Sequence, residues 1–140
     1  MSSSMPTLIR RFALTTIVVA AACGGGDFVA PRVAPPSTFT LHSFNGGALP
    51  AVISADASSQ VSLLDDSFVF QDDGTYLEQG HLRTTRDGGS TVQTLNSPGT
   101  YTRDGARITL VSSSGTINGS FTDDTTLTIL AGANTLVFRR

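Results

Sequence analysis

Residues 74–111 read GTYLEQGHLRTTRDGGSTVQTLNSPGTYTRDGARITLV, and their rhythm decides the fold class. Apolar and polar residues alternate through TYLEQGHLRTT, STVQTL, TYTR and RITLVS, the period of two that a half-buried strand requires. Threonine, valine, isoleucine and tyrosine suit a pleated surface. Between these runs stand RDGG, NSPG and DGA, residues that tolerate positive φ or hydrogen-bond to their own backbone. Each cluster reads as a turn, so NSPG is expected to separate STVQTL from TYTR. Links this short make neighbouring strands antiparallel hairpins.

The same pattern extends in both directions. TFTLH, PAVIS, QVSLL and SFVF precede the central stretch, and TINGSF, TTLTIL and NTLVFRR follow it. One face of each run gathers the apolar set: Phe68 with Phe70, Ile108 with Leu110, Leu127 with Ile129, Leu136 with Phe138. No window after residue 30 carries a helical stripe. The expected fold is all-β, a small antiparallel up-and-down barrel of about 8–10 short strands over residues 38–140. Closure removes exposed edges. A β-sandwich of immunoglobulin type is the alternative, but it needs Greek-key crossovers, and the cysteine pair and core tryptophan of that fold are missing.

The phrases FTLHSFNGGALP, DDGTYLEQGHLRTT, SPGTYTRDGARITL and terminal TLVFRR resemble small lipocalin-like bacterial lipoproteins. In such chains an opening Y-x-L-x-x-x-N-G-x-x-L-P precedes repeated G-T-Y/F strand starts. The resemblance implies a lipocalin-like barrel and a small, partly apolar ligand. The tryptophan that true lipocalins carry in the first strand is absent, since the chain contains none.

A second resemblance lies at the start. MSSSMPTLIRR brings two arginines and no acid, and FALTTIVVAAA is an apolar run closed by small residues. That order of basic, apolar and small residues is a secretory leader, too short for a membrane span of about 20 apolar residues. Ala20-Ala21-Ala22-Cys23 resembles the lipobox of bacterial lipoproteins, with alanine where leucine is usual. It implies a signal peptide over 1–22 and lipidation of Cys23, and through it a membrane anchor. More than one acyl chain gives stable anchoring, at about 0.8 kcal/mol per buried methylene. An ordinary secreted protein cut near Ala22 is the plainer alternative; it leaves a lone thiol exposed to oxidation. In the lipoprotein family an aspartate after the cysteine favours inner-membrane retention; Gly24 stands there, which points to the outer membrane, facing the periplasm. Residues 23–37 then form the lipidated cysteine and a Gly/Pro-rich tether.

Composition narrows the partners. Residues 23–140 hold seven arginines, no lysine and eleven acids, a formal charge of about −4. That argues against nucleic acid and against docking on anionic lipid heads. The length fits one domain, expected as a monomer, without disulfides or cofactor.

Catalytic chemistry finds no constellation: neither a Gly-x-Ser-x-Gly nor a His-Glu-x-x-His stretch occurs, so an enzyme is not expected. His42 and His81 sit on different strands, and no metal site is assigned to them. Asp65-Asp66, Asp72-Asp73 and Asp123-Asp124 invite calcium but lack a ligating loop, and turn formation accounts for them. The strongest pointer to a ligand site is a matched pair of phrases. Gly74-Thr75-Tyr76-Leu77-Glu78 and Gly99-Thr100-Tyr101-Thr102-Arg103 each place a charge two residues after a tyrosine. If the tyrosines face inward, Glu78 and Arg103 do too, across one intervening strand, and a buried acid demands a partner or a solvated cavity. Tyr76, Glu78, Tyr101 and Arg103 are therefore the expected ligand-binding residues. Against this stands a filled barrel that meets another envelope component by its surface.

Overall fold

The structure is a computed structural model and describes residues 37–140; the expected leader, Cys23 and the expected tether up to residue 36 lie outside the described residues. Nine strands follow one another: β1 (Ser37–Phe44), β2 (Ala51–Ala55), β3 (Ser59–Phe70), β4 (Thr75–Arg86), β5 (Gly89–Asp104), β6 (Arg107–Ser112), β7 (Gly115–Asp123), β8 (Thr126–Ala131) and β9 (Asn134–Arg139). Every pairing is antiparallel. The order runs β1-β9-β8-β7-β6-β5-β4-β3-β2, and β1 also pairs with β3, which closes eight strands into an up-and-down barrel. The barrel expected from the alternation is present, and the sandwich is excluded.

Local chemistry sets the hairpins. Asp87 and Gly88 both have positive φ (51° and 78°), the primed turn whose twist matches the flanking strands. Asp73 and Asp123 accept the backbone N–H of Thr75 and Thr125, at 2.9 and 2.8 Å, and so tie off the turns before β4 and β8. The paired aspartates at these two links are turn formers.

Two expected breaks are absent. STVQTL and TYTR belong to one 16-residue strand, β5, which runs straight through Pro98. The reason lies in which edge each residue presents. Tyr101 N donates to Gly74 O at 2.8 Å, so odd-numbered residues of β5 point their N–H toward β4 and even-numbered ones point it away. Pro98 therefore lacks a donor only on the far side, and the ladder to β4 continues past it. Gly99 is required by packing: a Cβ there would lie 2.3 Å from Val111 O and 2.5 Å from the Tyr76 ring. QVSLL and SFVF likewise merge into β3, with a bulge between Leu63 and Asp65 that absorbs the extra residue.

The interior is filled. Phe39, Leu41, Phe68, Phe70, Tyr76, Ile108, Leu110, Phe121, Leu127, Ile129 and Phe138 are buried in one cluster with Leu63. Rings meet at close range, Phe68 with Phe138 at 4.9 Å and with Tyr76 at 5.6 Å, and Phe39 with Phe121 at 5.6 Å. Burying one such side chain contributes roughly 1.5–3 kcal/mol over leaving it in water.

The closed ring does not use the whole of its longest strands. β1 leaves β3 at Ser67, and β6 leaves β5 at Gly99. Beyond those points Ser59–Asp66, the matching part of β4 and Gly89–Pro98, with β2 alongside, continue as a four-stranded arm.

Candidate functional site

The ring and the arm meet at two acids. Asp66 stands two residues before Phe68 and four before Phe70, so the alternation that buries the rings buries its carboxyl as well. Only 5% of Asp66 is exposed. Its Oδ1 accepts the Ser67 N–H at 2.8 Å. Opposite it on β4 lies Gly80. A Cβ at Gly80 would come within 2.8 Å of Asp65 O and 3.1 Å of Asp66 Oδ1. The missing side chain is thus what leaves room for the carboxylate. Glu78 is the next residue on the same face of β4, half-buried, opposite Phe68.

No cation offsets this pair: among the described residues the single ion pair joins His81 Nδ1 to Asp65 Oδ1, at 2.7 Å on the exposed face. Burial, then the Glu78 charge, push the Asp66 carboxyl from 3.8 up to about 8, against the pull of the Ser67 N–H. Burial raises Glu78 as well. At neutral pH the Asp66 carboxyl therefore keeps its proton, which gives the site a hydroxyl donor. Tyr76 adds a phenol hydrogen-bonded to Ser112, itself pushed up by burial of the ring. These groups can bind a small hydrogen-bonding or cationic group.

The expected foursome does not assemble into one site. Tyr76 and Glu78 belong to this junction. Tyr101 stays beside Tyr76, since both pack on Phe70, but Arg103 lies toward the other end of the barrel, because β4 and β5 are direct neighbours and Glu78 is paired with Ser97, six residues from Arg103. At about 3.3 Å per residue that is some 20 Å along the strand. Tyr101 packs on Phe70, ring centroids 5.0 Å apart, and its hydroxyl donates to Gln71 O at 2.7 Å. The Arg103 guanidinium lies 4.1 Å over the Phe121 ring, and its Nε donates to Gly105 O at 2.9 Å. Arg103 thus closes the rim by a cation–π contact. Glu78 finds no cation among the described residues; its neighbour is the Asp66 carboxyl, which its charge pushes toward the protonated form. Sequence reading placed Asp66 in a turn, although its parity with Phe68 and Phe70 was the signal that assigns it inward.

His42 is exposed on β1 and His81 is held by Asp65. No group of three or more potential metal ligands converges among the described residues. On the outer wall, Arg107, Thr109, Asn118, Ser120 and exposed Leu130 line an open groove of about 450 Å³ above Gly119 and Ile108.

No family model matches the chain, and no curated protein does.

Proposed function

We propose that this protein is a bacterial envelope lipoprotein, cleaved before Cys23, anchored there by lipid and facing the periplasm from the outer membrane. Its barrel acts as a structural or interaction module, without catalytic activity. One observation carries the choice over a carrier of cargo: the bore is occupied by the protein's own rings, Phe39, Phe68, Phe70 and Phe138 all less than 2% exposed. A carrier barrel needs small or polar residues facing inward to leave a cavity. What remains for recognition is the outside of the barrel and the arm.

A second reading rests on the junction of ring and arm. Asp66, Glu78 and the Tyr76 phenol favour a small, partly apolar molecule bearing a cationic or hydrogen-bonding group.

The anchor is tested by metabolic labelling with a fatty-acid probe. The wild type takes up label and fractionates with membranes, and Cys23→Ala does neither. A Cys23→Ala protein that still partitions with membranes refutes the anchor. The barrel's role is tested by the urea midpoint of Glu78→Gln and Asp66→Asn with and without small amines. An amine that stabilises the wild type alone favours the second reading.

A further inference from the structure

β5 outlasts its neighbour on one side. It pairs with β4 along its length, but with β6 only from Gly99 onward. Among the described residues no strand pairs with the outer edge of Gly89–Pro98. The alternation fixed by the bond from Tyr101 to Gly74 sends the N–H and C=O of Ser90, Val92, Thr94 and Asn96 to that open edge. Pro98, which has no donor to offer, ends the run.

Open edges are usually protected by charge, proline, a bulge or shortness. The sheet's other open edge follows that rule, since β2 has five residues and a bulge between Val52 and Ser54. The β5 edge follows it only at its end, where Pro98 stops the run. Gly89–Pro98 contains no charged residue, and its register with β4 is unbroken. Val92 on this edge is 58% exposed.

We propose that this edge docks a second copy of the same chain, β5 against β5, antiparallel about a two-fold axis. Antiparallel pairing is self-complementary, so one stretch serves both sides of an isologous interface. Centred on Gln93, it sets Ser90 opposite Asn96 and Val92 opposite Thr94, each twice. The absence of charge means that no like charges face one another, the usual barrier to a strand pairing with its own copy. Four outward residues per copy supply up to about eight main-chain hydrogen bonds. The two arms become one continuous sheet. A dimer replaces the monomer expected from composition, and the proposal stands whether or not Cys23 is lipidated.

The test places a photo-crosslinking benzoylphenylalanine in the full chain, at Thr94 in one version and at exposed Val111 on β6 in another. Irradiation of expressing cells should yield a homodimer adduct from position 94 at least five times stronger than from position 111. Val92→Pro added to the first version should abolish it, because the N–H it removes faces the edge and not β4. Val92→Arg is the second variant, with the circular dichroism melt as the folding control; it too should abolish the adduct. Equal adducts at both positions, no adduct at 94, an adduct there with a different protein, or an adduct that survives either well-folded variant overturns the proposal.

Discussion

The closed ring and the arm are built from the same strands, yet they follow different rules. In the ring each strand has a neighbouring strand on both edges and a ring-filled core on one face. Inward positions there are buried almost completely, as Phe68, Phe70 and Phe138 are. In the arm β3, β4 and β5 have outrun β1 and β6, and residues 89–94 are exposed on both faces. Strand propensity is similar in the two, so the difference comes from closure. Burial follows from what a strand is paired with and packed against, more than from what it is made of.

Substitutions should reproduce that contrast, beginning inside the ring. Phe68→Ala removes a ring packed on Phe70, Tyr76 and Phe138. It should cost about 3–5 kcal/mol in urea unfolding. Gly99→Ala should cost about 3 kcal/mol, because Val111 O is backbone and cannot swing away from the new methyl group.

At the junction the effect depends on pH. Asp66 keeps its proton in the folded protein at pH values where the unfolded chain has released it, so the folded state binds more protons. Stability should therefore fall as pH rises from about 4 to about 8, and Glu78 adds to the same trend. Below that window the sign reverses. The Thr75 hydroxyl and N–H hold Asp73 below the usual carboxylate range, and those of Thr125 do the same for Asp123; their contribution is lost as pH falls through their folded values. Asp66→Asn should flatten the alkaline limb and stabilise the protein at pH 9 by roughly 2–4 kcal/mol. Urea midpoints at pH 5 and pH 9 for both proteins check this; an unchanged slope would put the carboxyl in water. Out on the arm, Val92→Thr should stay within about 0.5 kcal/mol of wild type. A large loss there would erase the distinction between the regions.

The same division explains what was legible in the sequence. Alternation identified the strands and the inward faces of the ring, from Phe68 and Phe70 round to Phe138. It failed where a local signal competed with a long ladder. Asn96-Ser97-Pro98-Gly99 has turn chemistry, but Pro98 lacks its donor on an edge that has no partner to miss it, and Gly99 serves the Tyr76 ring. Asp65-Asp66 looked like a turn because the bulge before Asp65 is invisible in composition, and the bulge sets Asp66 among the phenylalanines. Glu78 was legible as an inward acid. Its distance from Arg103 was not, because that depended on whether β5 was one strand or two.

The central claim is that the barrel is filled by its own side chains. Native mass spectrometry of the mature protein purified from its own envelope tests it most directly. The account predicts a mass equal to whole copies of the mature polypeptide with their acyl groups, two in the dimer, with no further small molecule in fixed stoichiometry. A stoichiometric ligand that survives gentle ionisation and is lost in Phe68→Trp, which overfills the bore, would contradict it.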